Sequence, residues 1–190
     1  MSRVDINALL NGFRGKLGNA VFRQLGGKTV VSHRPRRNPD AVPKEISLLQ
    51  RDRFKRAVAY ARIKMQDSET KAEYQRLAER RPDMSAFNAA IADFMRAPKI
   101  VDVLTGKYSG NPGDVIVIQA ADDFKIRGIH VTVISADGVV IERGEATQLS
   151  GGLDWLYIAT RQHVNMRGTT IIATATDRPG NETTFEKLLA

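Results

Sequence analysis

Two glycine–lysine clusters are the first residues whose types and spacing could do chemistry: Gly12-x-x-Gly15-Lys16 and Gly26-Gly27-Lys28-Thr29. A nucleotide-binding loop cradles phosphates on its backbone N–H groups. It needs a glycine, four residues, then Gly-Lys-Ser/Thr, between a strand and a helix. Counting back from Gly27-Lys28-Thr29, the first glycine belongs at position 22, where Phe22 stands. Lys28 also opens a strand pattern rather than a helix. Nucleotide hydrolysis is not expected.

The remaining catalytic residue types are scattered. His33, His130 and His163 lie on separate segments with no companion at ligand spacing, so a metal would have to borrow carboxylates. Asp122, Asp123, Asp177 and Asn181 could share one end of a sheet and bind calcium through oxygen ligands. Aspartate and asparagine are equally the ordinary formers of turns, and that reading is adopted here. No serine–histidine–aspartate set or carboxylate pair can be placed in one cleft. No catalytic residue, metal ligand or cofactor is therefore assigned, and an enzyme is not expected. Trp155 and Tyr157, two residues apart on one side of a strand, read as core in preference to a sugar-binding platform.

Charge is the strongest signal left. The 190-residue chain has a net charge of +8. Residues 1–100 carry 21 Lys+Arg against 10 Asp+Glu, whereas residues 101–190 carry 8 against 11. Such asymmetry points to an acidic or polyanionic partner for the first half. There is no cysteine, which removes disulfides and thiolate metal sites. The first thirty residues lack a secretory pattern, and no apolar run approaches the ~18 residues of a membrane span. The expected location is the cytoplasm, or a virion or other particle.

The elements that must carry this charge follow from periodicity. Segments 20–25 and 28–33 flank Gly26-Gly27 and read as a hairpin, with Phe22 opposite Val31 and Arg23 opposite Val30. Its apolar surface is too small to stand alone, so Phe22 and Val31 are expected to pack on the helices or on a neighbour. Charged, proline-broken residues 32–40 read as a connector. Three helices follow, over about 47–66, 68–80 and 86–96, with Phe54, Val58, Ala61 and Met65 inward on the first. Tyr74, Leu77 and Ala78 face inward on the second, and Phe87, Ile91, Phe94 and Met95 on the third. Beyond Ala97-Pro98 the period changes to two. Seven strands are expected over about 101–108, 114–120, 126–135, 139–145, 153–160, 169–176 and 183–188, the pattern of an antiparallel β-sandwich.

Two resemblances accompany this reading. Gly128 to Gly138 and Ala173 to Asn181, with its alanine-rich strand and Asp-x-x-Gly-Asn turn, resemble bacterial immunoglobulin-like domains. Gly12 to Val21, with Gly27-Lys-Thr-Val30 and Arg51-x-x-Phe54, is similar to an uncharacterised Bacteroidota family of bacterial or phage origin. The first resemblance implies a fold, and neither implies an activity.

The expected architecture is therefore α+β in two domains. A basic β-hairpin arm (1–40) and a small three-helix bundle (41–97) precede an immunoglobulin-like sandwich of about seven strands (98–190). The expected function is structural: an assembly protein whose basic arm and helices dock on a partner subunit or a polyanion. The contact residues are Arg14, Lys16, Arg23, Lys28, Arg34, Arg36 and Arg37. Self-assembly or another protein partner leads. Nonspecific nucleic-acid binding is the alternative, since arginines beside a β-ribbon can grip phosphates without reading bases. A carbohydrate-binding or adhesive module is a further alternative resting on Trp155. A small-molecule substrate is not expected.

Overall fold

The computed structural model describes residues 12–25, 28–35, 45–81, 84–150 and 152–189. These described residues form an α+β fold, with three helices between a small ribbon and a seven-stranded antiparallel sheet.

The ribbon has three strands, β1 (Gly15–Leu17), β2 (Ala20–Leu25) and β3 (Lys28–His33), in that order. The β2–β3 register pairs Phe22 with Val31, Arg23 with Val30 and Leu25 with Lys28, as the hairpin pattern requires. The glycine-rich opening supplies β1 as well, a strand not expected from the sequence pattern. Leu17 pairs with Ala20, and Gly18 between them has a φ of 56°, a left-handed conformation that glycine adopts without Cβ strain.

The helices are α1 (Glu45–Lys64), α2 (Ser68–Glu79) and α3 (Ala86–Met95). Asp67 caps α2 by accepting from the Thr70 N–H at 2.9 Å, and Ser85 caps α3 by accepting from the Asn88 N–H at 3.2 Å. Helix α1 starts at Glu45, two residues before the start expected from the sequence pattern. The bundle core is small: Ala61, Tyr74, Ala78, Ala89 and Ala90, with Leu77, Phe87 and Ile91 partly buried around it. On α1 only Ala57 and Ala61 are fully buried. Phe54, expected inward, is 51% exposed and Ile46 68% exposed, although both share a face with Ala57 and Ala61. The physical reason is length. α1 has 20 residues against 10 in α3, so its first turns run past the bundle.

The sheet strands are β4 (Lys99–Lys107), β5 (Val115–Ala121), β6 (Ile126–Ile134), β7 (Val140–Gln148), β8 (Asp154–Ile158), β9 (Thr170–Asp177) and β10 (Glu182–Leu188). Their order is β10-β9-β6-β7-β8-β5-β4, one continuous antiparallel sheet. Strand β7 pairs with β6 along its length but with β8 only through Thr147 and Gln148. The sheet curls at that short seam, nearly into a barrel. At the open edges Lys187 of β10 donates to Asp102 of β4 at 3.3 Å. Alternation places Ile116 and Ile118, Ile129, Val131 and Val133, and Ile171, Ala173 and Ala175 in one shared core. Trp155 and Tyr157 close that core, as their spacing suggested, while His130 points outward. No helix among the described residues is long and apolar enough to cross a membrane.

Candidate functional site

The basic ribbon is one candidate. Arg14 precedes β1, Lys16 lies on β1, Arg23 on β2, Lys28 on β3, and Arg34 directly follows β3. Arg36 and Arg37 lie outside the described residues. The pairing of Lys16 with Val21 and of Arg23 with Val30 puts Lys16 and Arg23 on one face of the ribbon. The opposite face carries Leu17, Phe22 and Val31, and the Phe13 ring tilts against Phe22 with centroids 6.0 Å apart. Gln24 fixes the register by donating to the Thr29 hydroxyl. Residues 12–35 contain no carboxylate, and none of Arg14, Lys16, Arg23 and Arg34 forms an ion pair with the described residues. Phe13 is 50% and Leu17 69% exposed. Phe22 and Val31 therefore pack on each other and on Phe13. Among the described residues the three ribbon strands pair extensively with one another.

Helix α1 carries a second basic surface. Arg51, Lys55, Arg56 and Arg62 are exposed on it, and so are Ile46, Leu48, Leu49 and Ile63. A groove beside its first turns is floored by Phe54 and by Met95 of α3.

A second constellation lies where the bundle meets the sheet. Alternation along β9 carries its last residue, Asp177, to the buried side. Asp177 Oδ1 accepts from the backbone N–H of Gly180 and Asn181 at 2.8 and 2.6 Å, and its Oδ2 from the Asn181 amide at 2.7 Å. The Asn181 amide also donates to the carbonyls of Phe94 and Arg96 at 3.2 Å, joining the β9–β10 turn to the end of α3. Asp122, after β5, accepts from the Lys125 N–H at 3.1 Å. From the helical side comes Asp93, buried on α3, whose Oδ2 takes the Tyr74 hydroxyl at 2.5 Å. Tyr74 is in turn bonded to the Tyr60 hydroxyl at 2.9 Å. Burial pushes the Asp93 carboxyl up to about 7, the Tyr74 bond opposing and the nearby Asp122 and Asp177 charges adding to the rise. Burial likewise raises Asp122.

Of the four oxygen-bearing residues read from sequence, Asp122, Asp177 and Asn181 do share one end of the sheet. Asp123 departs, pairing with Arg96 and with Arg81 at 3.4 Å. Asp93 was missed because the third helix was read by its large apolar residues. The signal that finds it is an acid following Ala86, Ala89 and Ala90 at helical spacing, on the face that small residues press against a neighbour.

A third polar group braces the sheet from within. Glu142 Oε2 accepts from the Thr160 N–H and hydroxyl at 2.7 and 2.8 Å and from the Arg161 N–H at 3.2 Å. Burial raises Tyr108 to about 12 and raises Tyr157 further, with the Glu142 charge adding to both. The histidines stay apart: His163 bonds the Thr169 hydroxyl at 2.9 Å, His33 ends β3 and His130 lies on β6.

No family model matches the chain, and no curated protein does. Among solved structures, a crystal structure of an engineered protein is similar over 55% of this chain and 27% of its own, at 17% identity and a TM-score of 0.34. This chain thus spans about a quarter of that protein's length.

Proposed function

We propose that this is a non-enzymatic assembly protein in which a basic, partly apolar ribbon and the overhanging turns of α1 dock on an acidic surface of a partner subunit. The observation that carries the reading is the ribbon itself: exposed cations without an acidic neighbour among the described residues, backed by an exposed aromatic and aliphatic face. A phosphate backbone rewards the charge but not Leu17, Ile46, Leu49 or Phe54. A protein surface rewards both.

Charge also narrows the partner. Ribbon and α1 are both basic, so neither suits a second copy of itself. Residues 101–190 carry 11 carboxylates against 8 cations, with Asp137, Glu145, Glu182 and Glu186 exposed. A second copy's sheet thus offers the complementary sign, and a head-to-tail contact of this kind propagates instead of closing as a dimer.

An immunoglobulin-type body suits this role as a rigid carrier. The strand order supports it: strands one, two and five of the sheet half lie together, as do three, six and seven. The fourth, β7, touches both groups, where a constant-type sandwich assigns it to one. With Trp155 buried, the carbohydrate alternative loses the residue it rested on.

Light scattering on the full chain tests the proposal, with duplex DNA titrated in parallel. Assembly predicts a mass that grows with concentration and DNA binding of ordinary nonspecific strength. A constant monomer mass, with DNA affinity falling by several log units per log unit of salt, favours the nucleic-acid alternative instead.

A further inference from the structure

Turn formation accounts for Asp122 and Asp177, whose oxygens take the N–H groups of their own turns, but not for Asp93. Asp93 is 1% exposed, and its second oxygen, Oδ1, is buried with no hydrogen-bond donor among the described residues. An ionised carboxylate left half-satisfied beside two others is costly, and proteins compensate such a group with a cation or a proton. The guanidinium groups at this junction are committed elsewhere: Arg178 to Glu73, and Arg81 and Arg96 to Asp123.

One carboxylate oxygen from each of Asp93, Asp122 and Asp177 lies within 4.8 Å of the other two. Two oxygens bound to one calcium ion at about 2.4 Å can be up to about 4.8 Å apart, so each pair of the three lies within the span of a single ion. Magnesium keeps several of its waters and is usually held by one or two carboxylates, so three protein carboxylates favour calcium. A ligand set of oxygens alone suits a hard cation rather than zinc or copper. Asp93 also lines a pocket of about 210 Å³ together with Tyr74, Phe124 and Arg178.

We infer that Asp93, Asp122 and Asp177 bind a divalent cation of the calcium class at the junction of helices and sheet. The ligands come from α3, from the β5–β6 connection and from the end of β9. Bound there, the ion ties the bundle to the sheet at the point where Asn181 already bonds Phe94 and Arg96. The inference stands apart from the reading of the ribbon, since none of its residues belongs to that surface.

Terbium provides the probe, because an ion held by Asp93 sits beside the Tyr74 ring and is sensitised when tyrosine is excited. Chelator-stripped full-length protein should give a saturable terbium signal at one ion per chain, displaced by calcium and at least about tenfold less well by magnesium. Calcium at a hundredfold excess over its Kd should raise the Tm by roughly 5–10 °C. Asp93→Asn keeps an acceptor for the Tyr74 hydroxyl, and Asp122→Asn keeps one for the Lys125 N–H. Either should weaken the signal about tenfold or more. Should Asp93→Asn fail to fold, the half-buried Asp122→Asn still decides. A terbium signal unchanged in Asp122→Asn, or a melt indifferent to calcium, overturns the site, and equal displacement by magnesium overturns the choice of ion.

Discussion

Replacing Asn181 by alanine removes the side chain that links the sheet to the end of α3. Its amide has two hydrogens and three acceptors: Asp177 Oδ2 at 2.7 Å, and the carbonyls of Phe94 and Arg96, both at 3.2 Å. One hydrogen goes to the carboxylate and the other is shared between the carbonyls. The bond to the carboxylate is worth about 1.5–3 kcal/mol net and the shared one about 0.5–1.5 kcal/mol, so the loss should total roughly 2–4 kcal/mol. For a chain of this size each kcal/mol moves the Tm by about 2–4 °C, which puts the expected fall at roughly 5–15 °C. Thermal melting followed by circular dichroism at both helix- and sheet-sensitive wavelengths measures it. Gln148→Ala is the control, because that amide makes one exposed bond of 3.4 Å and its loss should change stability by no more than about 0.5 kcal/mol. If Asn181→Ala melts with its control, the junction does not couple helices to sheet and the reasoning fails.

Other substitutions extend the test. Trp155→Ala should cost about 3–5 kcal/mol by opening a cavity in the sheet core; a glycan bound by wild type and lost in a mutant of unchanged stability would restore the sugar-platform reading. Glu142→Ala leaves the Thr160 and Arg161 donors without their acceptor and should destabilise by about 1.5–3 kcal/mol in urea unfolding. An m-value that also changes would show that Glu142 governs more than these bonds. Tyr74→Phe removes the hydroxyl shared by Asp93 and Tyr60, and should lower the Tm by several degrees with the helical signal intact; no shift would mean that those bonds contribute nothing net.

Much of the fold was legible because its periods are clean. The alternation of Ile129, Val131 and Val133 fixed both a strand and its inward face, and Gly26-Gly27 fixed the register that sets Phe22 against Val31. Strand β1 was illegible because Gly15 and Gly18 read as turn residues, and three residues are too few to show a period. Phe54 misled because helical spacing assigns a face but not the length of the neighbour covering it. Asp93 was the deepest omission. Its meaning depends on Asp122 and Asp177, which lie 29 and 84 positions further along the chain and reach it only through the sheet's topology. The ribbon's charge was plain in the sequence, since residues 12–35 contain Arg14, Lys16, Arg23, Lys28 and Arg34 and no carboxylate.

If the ribbon's cations drive assembly, light scattering on a variant without them reveals it. Arg14, Lys16, Arg23 and Arg34 are changed together to alanine, and mass is measured against concentration at about 0.1 M salt, where charges act over ~10 Å, and at about 1 M, where they act over ~3 Å. Wild type should form larger particles at the lower salt and lose much of that mass at the higher, while the variant should stay small at both. Particles of equal size from wild type and variant, or a wild type that is monomeric at every concentration, would contradict the account.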